Sequence, residues 1–314
     1  MHRINNSKGD KKMILVITGA SGFVGKHVLP LLMQHSIEIH AISRQKMEVP
    51  FNGIHWHQVN LFHADDVGRF MNSVKPTHLL HLAWEATPGV YWNSLTNFQW
   101  VEASLCLMRH FYDHGGQRMV TAGTCAEYEW GENTLIEDLS PLTYSSPYAV
   151  CKNYARALIE DFSKQTGLSC AWGRIFFAYG PYEKSNRLIP YAIRSLLLNQ
   201  EIRCTDGKHR RDFLFAQDVA EAFISILMSN VEGPVNIASG TAVSIKEVLQ
   251  QISQRIGKPE LIQYGALPIS HAEMPLVEGR IHKLQELGWT PKVNLHQGLE
   301  DTIKWWKNNM TEPS

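Results

Sequence analysis

The sequence predicts an α/β fold: a doubly wound parallel Rossmann sheet with a smaller C-terminal substrate lobe interleaved with it. Three observations carry this prediction. Short β-rich runs alternate with longer helical patterns, a glycine-rich turn separates the first run from the first helical pattern, and the alternation breaks after Ile175. Repeated βαβ units have this sequence form, because parallel strands need crossover helices that cover both faces of the sheet.

The strand-like runs are 13–18, 37–42, 53–59, 77–83, 118–123 and 169–176. Apolar residues at three- and four-residue spacing predict helices over 23–35, 65–72, 93–113, 145–166, 187–199, 217–229, 244–256 and 296–308. After Ile175 the stretch FFAYGPYEKSN reads as loop, and a second lobe begins there. A later strand-like stretch, 234–239, is placed to rejoin the sheet. The cofactor domain is therefore expected over 13–178 plus about 212–240, and the smaller lobe over about 179–211 plus 241–310. Residues 1–12, polar and basic, read as a disordered leader.

With 30 Lys plus Arg against 30 Asp plus Glu in 314 residues, no overall field draws the chain to nucleic acid or an anionic membrane. Any anionic ligand must be held by local charges. The apolar run Met13 to Ile17 is too short for a secretory segment or a membrane span. Five cysteines, Cys106, Cys125, Cys151, Cys170 and Cys204, are odd in number and lack a C-x-x-C pair, the usage of reduced thiols in a cytosol.

The first strand runs straight into Thr18-Gly19-Ala20-Ser21-Gly22-Phe23-Val24-Gly25 and then a helical pattern. Gly19 suits the tight turn, Gly22 close approach to a pyrophosphate and Gly25 close helix-strand packing, with the helix N-terminus facing the anion. Gly spacing alone is weak; in a strand-turn-helix context it predicts dinucleotide binding, with Ser21, Phe23 and Val24 among the contacts. At the end of the second strand, where NAD binders place a carboxylate, stand Ser43 and Arg44. A guanidinium forks onto a 2′-phosphate that a carboxylate would repel, which favours NADP(H) and leaves NAD(H) open; an exposed loop arginine is the plain alternative. Asn60 closes the third strand, where its amide can meet adenine or simply form a turn.

Tyr148 and Lys152 lie four apart on a helical pattern, so both project from one face. Thr124 ends the preceding strand at the sheet edge where ligands of such folds bind. Reducing a ketone needs a proton for the developing alkoxide. A phenol supplies it when a neighbouring cation stabilises the phenolate, while a hydroxyl holds the substrate oxygen. Thr124, Tyr148 and Lys152 are the candidate catalytic residues.

TGASGFVG, HLAW (81–84), Thr124, Tyr148-x-x-x-Lys152, RIFFAYGP (174–181), RDFLFAQDVA (211–220), VNIASG (235–240) and LGWTP (287–291) together resemble the ordered blocks of the extended short-chain dehydrogenase/reductases, the NAD-dependent epimerase/dehydratase family. The resemblance spans about residue 13 to 308. It implies a nucleotide-diphosphate sugar as substrate, held by the second lobe, and a homodimer through the 93–113 and 145–166 helices packed as a four-helix bundle. It also implies further cofactor contacts at Leu61, Leu82, Ala83 and Trp84. Substrate contacts are expected from Trp84, Glu85, Thr87, Thr124, Cys125 and Phe177, with Arg187 and Arg211 on the diphosphate. For Trp84, Glu85 and Thr87, packing or a solvated loop is the plain alternative.

Within that family, dehydratases carry an acidic pair or Ser-Glu after the active-site Thr, where this chain has Cys125 and Ala126. Epimerase-reductases carry a cysteine two places after the hydroxyl residue and a histidine beyond Y-G-P; here Cys125 is one place early and Tyr182-Glu183 follow Pro181. Phe177 replaces the Asn of R-x-F-N. The expectation is an NADPH-dependent reductase of the C4 ketone of a nucleotide-linked 4-keto-6-deoxyhexose, in deoxysugar biosynthesis for cell-surface glycans. A 4-epimerase with tightly held NAD is the main alternative, and a non-catalytic NADP sensor a further one. No metal is expected: His55 and His57 flank Trp56 at strand spacing, with no third His or carboxylate in the sequence pattern to complete a ligand set. His81 is expected to serve the fold, and Trp305-Trp306 to be packing residues.

Overall fold

A computed structural model describes residues 12–47, 53–269 and 274–310. The chain alternates through β1 (Ile14–Thr18), α1 (Phe23–Leu32), β2 (Glu38–Ser43), β3 (Ile54–Gln58), α2 (Ala64–Val74), β4 (His78–His81), α3 (Thr96–Asp113), β5 (Arg118–Thr124), α4 (Pro147–Thr166) and β6 (Ser169–Ile175). It continues through β7 (Phe177–Tyr179), α5 (Leu188–Leu197), β8 (Ile202–Arg203), β9 (Arg210–Arg211), β10 (Phe213–Phe215), α6 (Ala216–Leu227) and β11 (Gly233–Ile237). Last come β12 (Val243–Ser244), α7 (Ile245–Ile256), β13 (Ile262–Gln263), β14 (Leu276–Val277), α8 (His282–Glu286) and α9 (Leu295–Asn309).

The central sheet has seven strands in the order β11-β6-β5-β4-β1-β2-β3, all parallel. Leu15, Val16 and Ile17 of β1 are fully buried, the continuous apolar run of a strand covered on both faces. One covering layer uses Val28, Leu29, Phe223 and Ile226 from α1 and α6. The other uses Val67, Phe70, Leu107, Phe111 and Ile159 from α2, α3 and α4. Successive strands advance from β1 to β3 and then jump to β4 on the other side of β1. That reversal opens a crevice beyond the carboxyl ends of β1 and β4.

A third apolar cluster, with Ile189, Ile193, Val248, Ile252, Leu299 and Ile303, joins α5, α7 and α9. Short strands surround it: β7 with β10, β12-β9-β14, and β13 with β8. The stretch after Ile175, expected as loop, contains β7, whose three residues pair with Phe213–Phe215. A three-residue strand whose partner lies so far along the chain leaves no local periodicity to read. The one-turn helix α8 escapes the pattern for the same reason, whereas the 234–239 run does return to the sheet as β11, on β6. Apart from Lys12, which bonds Glu38 at 3.1 Å, the residues expected as a leader lie outside the described ones. Among the described residues no helix is long and apolar enough to cross a membrane.

Candidate active site

Gly19 turns the chain out of β1 with φ +70°, and a Cβ on it would stand 2.8 Å from the Ala83 nitrogen and the Leu82 carbonyl carbon. A Cβ on Gly25 would stand 2.3 Å from the Gly19 oxygen. The turn, the end of β4 and α1 therefore meet backbone to backbone, which only glycine permits. Gly22 caps α1 with no side-chain partner and no acid follows in the first turn, leaving the Phe23 and Val24 amides for an anion, with Ser21 exposed at the tip. These residues fit a dinucleotide pyrophosphate.

At the end of β2, the Ser43 hydroxyl accepts from the Gln45 amide at 3.2 Å and keeps its proton to donate. Arg44 is exposed, and among the described residues its guanidinium has no hydrogen-bonded partner. Asn60 forms a turn, accepting from the Phe62 amide at 3.1 Å, with Leu61 buried beside it.

A hydrogen-bonded chain ties β1 to β4 and α3. The Ala83 amide donates to the Thr18 hydroxyl at 3.2 Å, Thr18 and His81 Nδ1 are 2.7 Å apart, and His81 Nε2 and Ser104 are 2.9 Å apart. Ser104 donates onward to the Trp100 carbonyl at 2.7 Å. Burial first, and the Lys152 charge second, hold the His81 pKa down to about 3, so its imidazole is neutral and belongs to the scaffold.

Thr124 ends β5 and caps the short 3₁₀ turn Cys125–Glu127, where its hydroxyl accepts from Ala126 at 3.2 Å while Glu127 Oε1 accepts from the Thr124 amide at 2.9 Å. The α4 helix opens on Ser146, whose side chain caps Ala149, with Pro147 in its first turn, so Tyr148 enters one residue into the helix. Lys152, one turn on, is 2 % exposed, donates to the Ala122 carbonyl at 2.8 Å and lies 3.7 Å over the Trp84 ring. Burial raises the Tyr148 phenol, and a hydrogen bond with Thr124 works against it. Burial pulls Lys152 down to about 7, opposed by Glu127. Thr124 and Tyr148 are thus joined by a hydrogen bond, and Lys152 follows Tyr148 by one turn of α4 as a buried lysine whose pKa lies near neutral pH.

Glu127 anchors this edge from below. Fully buried, it accepts from Trp172 Nε1 at 2.8 Å and from Arg174 Nε at 2.7 Å. Its carbonyl receives Asn153 Nδ2 at 3.0 Å, which fixes α4 against β5. Cys125 is buried beside this floor, and burial, then the charges of Asp212 and Glu127, push its thiol well above the ordinary range.

Aromatic rings cover the cluster. Tyr91 and Trp92 stand 4.7 and 5.7 Å from the Tyr148 ring, and Trp130 stands 6.4 Å from Trp92 and 6.2 Å from Phe177. Arg211, 4 % exposed, sits 5.8 Å from both the Trp130 and the Phe177 rings and donates to the Met274 carbonyl at 3.0 Å. Arg187 lies 5.3 Å over Tyr91. Glu85 accepts from the Thr87 amide at 2.8 Å, the Thr87 side chain first and this amide second lower its carboxyl, and the Thr87 hydroxyl accepts from Lys184 at 2.8 Å. Glu85 and Thr87 thus brace the loop after β4 against the segment that leads into α5.

The sequence profile of the NAD-dependent epimerase/dehydratase family matches residues 15–238. The chain belongs to this family. Among the relatives are CDP-abequose synthase of Salmonella typhimurium, 24% identical over 93% of this chain and 98% of that protein, and UDP-glucuronate 4-epimerase of Thermodesulfobacterium geofontis, 25% identical over 94% and 96%. Among solved structures, Thermus thermophilus UDP-glucose 4-epimerase in complex with NAD superposes with a TM-score of 0.85 at 24% identity, covering 95% of this chain and all of that one.

As a member of the epimerase/dehydratase family the chain shows several site features its sequence pattern did not announce. Tyr91 and Trp92 reach Tyr148, and Trp130 reaches Trp92, through loops with no periodicity. Glu127 had a signal, since Thr124-x-x-Glu127 has the spacing of a capping box. The histidine pair has neighbours that its spacing in the sequence did not show. His40 and Glu38 of β2 do join His55 and His57: His40 lies 2.9 Å from both His57 Nε2 and Glu38 Oε1, and it stacks on His55 at 4.9 Å. Parallel register puts His40 opposite His55, a pairing visible only once β2 and β3 are neighbours. Among the described residues no group of three or more His, Cys, Asp or Glu is arranged to hold a metal ion.

Proposed function

We propose that this protein uses NADPH to reduce the C4 ketone of a nucleotide-linked 4-keto-6-deoxyhexose, giving a deoxysugar for a surface glycan. The observation that carries the reading is the run 124–126. A hydroxyl bonded to the Tyr148 phenol is followed by a thiol that burial keeps protonated and by a methyl group. This run therefore supplies, next to the Tyr148 proton donor, no carboxylate or thiolate to act as acid/base on the neighbouring carbons. When bound, NADPH supplies the hydride. Thr124 orients the ketone oxygen, Tyr148 gives it the proton, and Lys152 stabilises the phenolate left behind while bonding the nicotinamide ribose. Ser43 and Arg44 support the choice of NADPH, since the exposed guanidinium is available to a 2′-phosphate. Arg187 and Arg211 would take the diphosphate, and Trp84, Cys125 and Phe177 the sugar end.

A homodimer through α3 and α4 belongs to the same proposal, supported by the outward Leu95, Phe98, Tyr154 and Leu158, which are 77, 54, 56 and 48% exposed. So does a cytosolic setting, in keeping with five free cysteines. The assignment of 13–178 plus about 212–240 to cofactor and of the remainder to substrate is supported by the separate apolar cluster of α5, α7 and α9.

Mixing the purified protein with NADPH and the GDP, dTDP or CDP forms of a 4-keto-6-deoxyhexose should consume nicotinamide absorbance. If none of the three does so, the reductase reading is lost. The similarity to a UDP-glucuronate 4-epimerase supports the second reading, a 4-epimerase with stored NAD. Stoichiometric NAD recovered from denatured protein, with no net NADPH use, would decide for it.

A further inference from the structure

Trp84 follows the run that ends β4, and its indole is held on both sides. Its Nε1 donates to Asn97 Oδ1 at 2.9 Å, and its ring stacks 6.1 Å from Trp100. Asn97 is fully buried in the first turn of α3, and its Nδ2 donates to the carbonyls of Tyr91 at 2.7 Å and Ser94 at 2.9 Å. One amide therefore locks both the indole under Lys152 and the loop whose Tyr91 and Trp92 rings enclose Tyr148. On the other side of the lysine, the Trp172 ring lies 5.6 Å from Nζ, and its own N–H is engaged by Glu127.

We propose that Trp84, clamped by Asn97, is a positioning residue that holds the Lys152 ammonium on its indole face beside Tyr148. An ammonium this deep in the protein loses nearly all its hydration, and the ring quadrupole replaces part of it at no cost in acidity to the neighbouring phenol. A carboxylate in the same place would do more for the lysine but would also raise the phenol further. The groups facing Lys152 are Glu127 from the 3₁₀ turn, neutral His81 from β4 and the two indoles, with Tyr148 one turn earlier on the same helix. Only Glu127 is charged, and it is shared with Arg174.

The inference deepens the reductase reading, and only its turnover arm rests on that reading. Competitive acetylation of the intact, ligand-free enzyme across pH, read by mass spectrometry on the peptide holding Lys152, reports the lysine's titration midpoint without any substrate. In Trp84→Leu, which keeps apolar bulk but removes the π face, the midpoint should fall by about one pH unit. Trp84→Phe, which keeps an aromatic face and the stack on Trp100, should recover part of that shift. Asn97→Ala, which frees the indole without removing it, should shift the midpoint the same way by less. A midpoint in Trp84→Leu equal to or above the native one overturns the proposal, because the indole would then act only by excluding water. Should Trp84→Leu not fold, an unshifted midpoint in Asn97→Ala overturns it equally. In turnover, the alkaline limb of kcat/KM should move with the labelling midpoint. Absence of any turnover would instead count against the reductase reading and leave the labelling result intact.

Discussion

The two ends of the proposed cofactor crevice are built differently. At the catalytic end, Thr124, Tyr148 and Lys152 are held by buried partners: Glu127 on the Thr124 amide, Ala122 and Trp84 on Lys152, Tyr91 and Trp92 on Tyr148. At the ribose end, Arg44 stands exposed on the loop after β2. Groups that move protons need fixed distances, and packing supplies them. A group that reads one phosphate from the surface needs charge and reach, which a solvated arginine has without support.

The contrast is broken most directly by Tyr148→Phe. With the phenol gone but the ring kept against Tyr91 and Trp92, turnover should fall by about 100- to 10,000-fold, while NADPH binding, followed by its fluorescence, stays nearly unchanged. A comparable loss of binding would mean that Tyr148 serves the cofactor instead of the proton. Glu127→Ala should act through stability, because it leaves the Arg174 guanidinium buried without its carboxylate. Urea unfolding should show a loss of about 3–5 kcal/mol, and a loss under about 1 kcal/mol would show that the floor is not what holds this end rigid.

His81 sharpens the contrast by pH. Its imidazole takes a proton near pH 6.5 in the unfolded chain and only near pH 3 in the folded one. Between those values the unfolded state binds more protons, so stability falls as pH drops below 6.5, by up to about 1.4 kcal/mol per unit. Denaturant unfolding at about pH 7 and pH 5 should show that His81→Asn has a shallower loss than the native protein, by about 2 kcal/mol. Equal losses would place the acid sensitivity elsewhere. The smallest expected effect is at the open end, where Arg44→Asp should leave stability alone and shift the ratio of NADPH to NADH efficiency about 10- to 100-fold toward NADH. A native preference for NADH would remove the role given to Arg44.

What could be read from the chain alone was whatever is local. The glycine turn, the Tyr148-x-x-x-Lys152 pair and the alternation of runs each lie within one element and its neighbour, where propensity and spacing are decided by adjacent residues. The seven parallel strands follow from that alternation. What the tertiary structure alone decided are pairings across long stretches of chain: Trp84 under Lys152, Glu127 with Arg174, His40 between His55 and His57, and Asn97 on both Trp84 and Tyr91. The physical reason is that such contacts depend on strand order and register, and a sequence reports which face a residue prefers without reporting which distant residue shares that face.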